Sequence, residues 1–404
     1  MYQRNGIQKV LLLIAIIEGI QWGFISAILG PYLREIGYSA TEYGILRSIS
    51  LASGVFVTFI SGLLSDVLGA KKIFAFGLLL NGVGYLLIYT GIDMLLPFGF
   101  LISGLAASLI STSSTALVGR SIEDRRLHYV YSYVSGFITY GIALGSFLGW
   151  IPIYYSEVSR ISILESYRLG MLSIALTWMF ISPLALTVTE YRGYVEGKSL
   201  SSVIKGLGGF DRLFYIIILL SSIIGFGASI SIYNIDYYFI LKFGVRSGEL
   251  GSIFGVENLI MASIMMILPN LSDRYGGEIR IYLVLSLVSI PLLLGMTFTD
   301  LLIYASALFI IRTILMNVAN PLFSAYVMKL IPIERRGVAS AFLNMSWNIP
   351  SIIGVSIGGY MLDIDVELPI RVTALLYTIS LIGLYHVTLR GGDDVKSNSY
   401  DSLK

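Results

Sequence analysis

The chain has 404 residues, 56% of them hydrophobic and 13% charged, with a mean hydropathy of +0.81. A soluble domain carries about 25% charged residues, so water cannot be the solvent for most of this surface and lipid must be. A formal net charge of +2 gives no electrostatic footprint for a nucleic acid, the absence of cysteine removes disulfides, thiolate metal sites and thiol nucleophiles, and two histidines, His128 and His386, leave no HExxH zinc site.

The N-terminus opens with Arg4 and Lys9 and turns apolar as far as about Tyr32, with no A-x-A cleavage site behind it. It reads as the first membrane span and not as a removed leader. Runs long enough to cross a bilayer, about 20 mostly apolar residues each, number twelve in chain order. They cover 9–31, 44–64, 73–91, 95–118, 129–151, 168–188, 213–240, 250–270, 280–297, 301–328, 337–361 and 369–389. The longest internal break, around TEYRGYVEGKSLSSVIKGLGGFDR, divides the chain nearly in half. The expected organisation is an all-α membrane protein in two six-helix bundles, 1–190 and 213–390. A linker at 191–212 joins them and a tail at 391–404 follows.

Twelve spans put both termini on one side. Of the 27 Lys and Arg residues, nineteen lie in the termini and the loops on that side, seven lie in the opposite loops, and Arg312 falls inside a span. The positive-inside rule makes the termini cytoplasmic. A multi-pass protein of the plasma membrane is expected.

The two halves repeat. LREIGYSATEYGIL leads into SGLLSDVLGAKK, and ILKFGVRSGELGSI leads into LPNLSDRYGG. Gly37, Gly44, Asp66 and Gly69 match Gly244, Gly251, Asp273 and Gly276 at one offset of 207 residues. Glu123–Arg126 before span 5 answers Glu334–Arg336 before span 11, and Gly145 and Gly149 answer Gly354 and Gly358. Such a parallel duplication relates two halves by an axis along the membrane normal, with a substrate site between them near the midplane.

On these residues the chain resembles the major facilitator superfamily along nearly its whole length. The family's loop after span 2 reads G-x-x-x-D-R-x-G-R-[RK]. Here Gly62, Asp66, Gly69, Lys71 and Lys72 keep the glycines, the aspartate and the basic end, while Val67 and Ala70 replace both arginines. The second copy keeps Asp273, Arg274 and Gly276. The resemblance implies a conformational latch that stabilises the outward-facing state. An aspartate facing the positive end of a neighbouring helix supplies its physical basis, and a plain helix-end cap is the alternative. The drug-antiporter pattern G-x-x-x-G-P-x-x-G-G in span 5 is kept only at Gly141, Gly145 and Gly149, with Ser146 and Trp150 at other positions. Small residues so spaced also serve simple helix packing. The span-4 arginine of many proton-coupled members is absent near Phe100.

Nearly every ionisable residue falls in loops or near span ends, and three do not: Glu18, Glu257 and Arg312. A charge at the bilayer centre costs at least about 2.5–3.5 kcal/mol, so it faces a cavity or a partner. Glu18 lies about nine residues, or roughly 14 Å, into span 1. Gln21 and Trp22 share its face. Glu18 is therefore the first candidate for proton coupling and Glu257 the second; a glutamic acid held permanently protonated by a neighbour is the alternative. Arg312 offers a planar fork of donors suited to a carboxylate or phosphate. It either anchors substrate or pairs structurally with Glu257. Asn234, Asn317, Asn344, Trp347 and Asn348 complete the candidate substrate contacts. Asp236, beside Asn234 among Tyr233, Tyr237 and Tyr238, reads as packing, as does the Ser111–Thr115 run.

The resulting expectation is a secondary transporter of a small organic solute, anionic or polar because of Arg312, working by alternating access with proton coupling. Sodium stays open as the coupling ion. Proton-driven efflux of lipophilic compounds is the alternative. No cofactor or metal is expected, a monomer suffices, and no nucleotide loop or Ser/His/Asp set suggests an enzyme.

Overall fold

The computed structural model describes residues 2–120, 127–188, 209–267, 277–332 and 335–390. Asp273, Arg274 and Gly276, the Glu123–Arg126 and Glu334 positions, most of the expected linker and the tail lie outside the described residues, as does the side chain of Asp66. Among the described residues the chain is helical without strands. Ten helices among the described residues are long and apolar enough to cross a membrane. Two further helices, over Ala40–Leu68 and Ser247–Ile267, occupy the places of expected spans 2 and 8.

In order, the helices are α1 (Tyr2–Glu35), α2 (Ala40–Leu68), α3 (Ala70–Thr90), α4 (Leu96–Arg120), α5 (Leu127–Phe147), α6 (Trp150–Ser159) and α7 (Ile163–Ala185). Then come α8 (Arg212–Ser231), a 3₁₀ turn (Ile232–Asn234), α9 (Ile235–Phe243), α10 (Ser247–Ile267), α11 (Glu278–Gly295), α12 (Leu302–Lys329), α13 (Arg336–Ile364) and α14 (Leu368–Tyr385). Two expected spans are thus each split in two. Span 5 breaks at Leu148–Gly149 and runs on to Ser159, past the expected end at 151, and span 7 breaks at the 3₁₀ turn.

Local chemistry sets several ends. Ser39 and Glu42 form a reciprocal capping box at the start of α2. Gly69, in the latch pattern, turns the chain from α2 into α3 at φ +96, a region closed to most side chains.

The chain divides into two compact units. The first comprises Met1–Gly197 with Ile235–Ile267, the second Lys198–Asn234 with Leu268–Lys404. In the first, α1 packs on α5 and α7, and α3 packs on α4 and α7. In the second, α8 packs on α13 and α14, and α11 packs on α12 and α14. In span numbers these are the same four pairings, 1–5, 1–6, 3–4 and 3–6, shifted by six.

The repeated glycines explain the tightest of them. A Cβ on Gly145 would stand 2.0 Å from the Ile20 carbonyl of α1, and one on Gly358 would stand 1.9 Å from the Ile230 carbonyl of α8. Backbones this close admit no side chain, which is how small residues hold helices together in lipid. Outward-facing apolar side chains such as Phe180, 77% exposed, and Ile303, 75% exposed, leave lipid as their solvent.

Candidate functional site

In the first unit, α1 carries a polar stripe. Glycines 19 and 23 are spent on contact with α5, so Glu18 and Trp22 are carried round the helix toward α7. Glu18 and Gln21 are each only 7% exposed. The Trp22 indole hydrogen-bonds the Glu18 carboxyl one turn away, and its ring meets the edge of Trp178 of α7 at 5.7 Å between centroids. Gln21 Oε1 is buried without a hydrogen-bond partner among the described residues. A carboxyl, an amide and two indoles therefore meet where the sequence places a carboxyl, an amide and one aromatic. The contribution of Trp178 carries no local signal, because it comes from another helix.

In the second unit, Arg312 of α12 is 4% exposed. Its Nη2 donates to the Tyr377 hydroxyl of α14 at 2.9 Å, and its guanidinium carbon lies 5.6 Å from the centre of that ring. Arg312 Nε is buried without a partner among the described residues. A buried guanidinium whose neutral partner leaves donors over has hydrogen-bonding capacity and positive charge still to be met. Beyond it, Trp347 Nε1 donates to the Tyr233 hydroxyl at 3.1 Å, and both side chains are half-buried.

The other predicted contacts fall differently. Asn317 is half-buried on α12, while Asn344 and Asn348 are exposed on α13. Asn344 donates back to the Ser340 carbonyl of its own helix. Asn234 is fully buried, and its amide ties the 3₁₀ turn to the Val355 carbonyl of α13 at 2.9 Å. Glu257, half-buried on α10, has a partner of its own and belongs to the first unit, whereas Arg312 belongs to the second. Of the latch residues, Gly62 has open space where a Cβ would stand. Lys71 is half-buried and Lys72 exposed at the start of α3.

One cluster escaped the sequence reading. In the first unit, Tyr43 of α2 hydrogen-bonds the Asp236 carboxylate of α9, and Arg47 donates to the Tyr43 hydroxyl at 2.7 Å. The signal available was an aspartate inside an apolar run, but its partners stand 193 and 189 residues earlier. Nearby, in the turn between α1 and α2, Tyr38 donates to Asp93 at 3.0 Å. Burial, with Asp93 adding, pushes its hydroxyl up to about 12, so it remains a donor at any working pH.

A bundle of apolar helices with buried polar clusters deep inside individual spans is a polytopic membrane protein. The Major Facilitator Superfamily model matches residues 11–388, and the chain belongs to that family. An uncharacterised MFS-type transporter of Methanocaldococcus jannaschii is 25% identical over 361 residues, covering 85% of this chain and 87% of that one. The quinolone resistance protein NorA of Staphylococcus aureus is 22% identical over 406 residues, covering 94% and 95%. Among solved structures, a variant of the nucleoside transporter NupG superposes with a TM-score of 0.79 at 14% identity, covering 95% of this chain and 100% of that one. A bacterial homologue of the human lysosomal transporter Spinster, inward-facing and occupied, gives 0.76 at 13% identity, covering 95% and 97%. Family and fold together make the chain a multi-pass membrane transporter of the secondary type.

Proposed function

We propose that the protein moves a small anionic or polar organic solute by alternating access, with Arg312 as the anchor for the solute's negative group and Glu18 as the proton-coupling carboxyl. The observation that carries this reading is Arg312 itself. A guanidinium buried deep in α12, bonded to a neutral tyrosine hydroxyl and with Nε left over, has charge to offer a carboxylate or phosphate. Trp347, with Asn317 near Arg312 on α12, supplies further contacts.

Glu18, sealed by Trp22 and Trp178, is a carboxyl in position to take up and release a proton as its surroundings change between dry and wet. Glu257 is a second acid for the same task, and sodium is the alternative ion. The working unit is a monomer of two six-helix halves, 1–190 and 213–390, in the plasma membrane with both termini cytoplasmic. The latch loops, Gly62–Lys72 and Asp273–Gly276, hold one face shut. The chemistry is carriage and not transformation.

The test is thermal unfolding of the purified protein in detergent, screened against acids, sugars, amino acids, phosphate esters and lipophilic cations. A ligand at a hundred times its dissociation constant adds about 2.7 kcal/mol, enough to read as a shift. An anionic hit that weakens in Arg312→Lys supports the reading.

Efflux of lipophilic compounds is the second reading. It is favoured by the carboxyl–indole pair Glu18–Trp22 and by the likeness to proteins named for quinolone resistance. A lipophilic-cation hit that depends on Glu18 and ignores Arg312 selects it.

A further inference from the structure

Span 7 is not one helix. The 3₁₀ turn Ile232–Asn234 interrupts it, and the boundary between the two compact units falls between Asn234 and Ile235. The nine residues of α9 are therefore grouped with α1 and α2, while α8, in the same span, is grouped elsewhere. Breaks of this kind mark hinges.

What holds α9 in place is a chain of polar contacts. The Tyr43 hydroxyl donates to Asp236 Oδ2 and accepts from Arg47 Nη1 at 2.7 Å. Arg47 and Asp236 themselves stand 3.8 Å apart, so the tyrosine hydroxyl is the closer link between cation and carboxylate. The Tyr237 ring stacks on Tyr43 at 4.3 Å between centroids, and its hydroxyl donates to the Tyr38 carbonyl at 3.1 Å. On the other side α1 presents Gly30, where a Cβ would come within 2.9 Å of Asp236 Oδ2. The side chain of Asp236 is 7% exposed against 34% for Arg47, and Asp236 Oδ1 has no hydrogen-bond partner among the described residues. The carboxylate also takes backbone N–H groups at the start of its own helix, so the side chains of Tyr43 and Arg47 are what tie it to α2.

We propose that Arg47, Tyr43 and Asp236 form a clasp that pins α9 to α1 and α2, and that α9 swings on the Ile232–Asn234 turn when the clasp opens. Tyr43 is its central link, because its hydroxyl bonds both Arg47 and Asp236, which also attract each other directly across 3.8 Å, so removing any of the three weakens the same connection. A buried carboxylate that loses its donors is unstable where it stands, which couples release of the clasp to hydration of Asp236. The device needs no particular solute and stands whether or not Arg312 binds an anion.

The chain contains no cysteine, so paired labels report without background. Spin labels at Thr41→Cys on α2 and Lys242→Cys on α9 measure the separation directly. In the parent protein a single short-distance population dominates. Tyr43→Phe and Asp236→Asn each raise the ratio of long to short distances by about tenfold, the effect of losing one charge-assisted hydrogen bond. The double variant goes no further than either single one. Distance distributions for Tyr43→Phe and Asp236→Asn that superimpose on the parent overturn the clasp, as do two shifts that add. If either variant fails to purify as a monodisperse protein, Arg47→Lys, which keeps the cation and loses the fork, decides. It shows a partial shift if the clasp is real and none if it is not.

Discussion

Arg312 of α12 and Tyr377 of α14 are joined by a 2.9 Å hydrogen bond from the guanidinium to the phenol, both side chains being almost wholly buried. A permanent cation held by a neutral acceptor in the interior of a membrane bundle is costly unless it serves a ligand or meets its counter-charge during function. Tyr377 fixes the fork and does not quench it.

Replacing Tyr377 by phenylalanine therefore acts on Arg312. The variant leaves Nη2 without its buried acceptor and loses about 1.5–3 kcal/mol of stability, the range for a hydrogen bond to a charged group. The drop is smaller in the presence of an anionic ligand, which supplies the missing acceptor. Thermal unfolding with and without the ligand measures both.

Glu18→Gln keeps the size and the hydrogen bond to Trp22 but holds no titrating proton. It is expected to abolish accumulation driven by a pH gradient while leaving solute exchange intact. Uptake into proteoliposomes with and without an imposed gradient checks this. Retained gradient-driven accumulation removes Glu18 from the coupling role.

Gly358→Ala places a methyl group where the Ile230 carbonyl stands 1.9 Å away. The α8–α13 contact must part, at a cost of about 1–3 kcal/mol. Gly62→Ala, on a helical glycine with open space around its Cβ position, leaves the melting temperature unchanged or slightly raised. The two variants, compared by thermal unfolding, separate packing glycines from the rest.

Orientation is tested on intact cells with a membrane-impermeant maleimide. A cysteine at Asp300, in the loop between α11 and α12, is labelled, and one at Ser402 in the tail is labelled only after the membrane is opened. The reverse pattern places the termini outside.

Much of the fold is legible because lipid imposes a length rule and the halves repeat. The apolar runs place the helices, and each glycine ladder contains one close backbone contact, Gly145 on the Ile20 carbonyl and Gly358 on the Ile230 carbonyl, although the positional match pairs Gly145 with Gly354 and Gly149 with Gly358. The breaks are not legible. Ile232–Asn234 contains no glycine or proline to mark a break. Its turn is tied by the Asn234 amide to Val355, 121 residues away. Span 5 runs beyond its expected end because Pro152 sits in the first turn of α6, where its missing N–H costs nothing. Of the candidate sites, Glu18 and Trp22 meet as helical spacing requires. Tyr377 and Trp178 come from other helices, and pairs of that kind are set by tertiary packing and not by spacing along one helix.

The central claim, a carrier that binds an anion at Arg312 and passes it across the membrane, is tested most directly by flux into proteoliposomes of the anion found in the unfolding screen. The account predicts uptake that saturates with concentration and is accelerated by unlabelled solute on the far side. It also predicts that Arg312→Lys raises the half-saturating concentration by about tenfold, since a point charge replaces a fork. Flux that rises linearly with the gradient, shows no acceleration from the far side and is indifferent to Arg312 would contradict it and describe a pore.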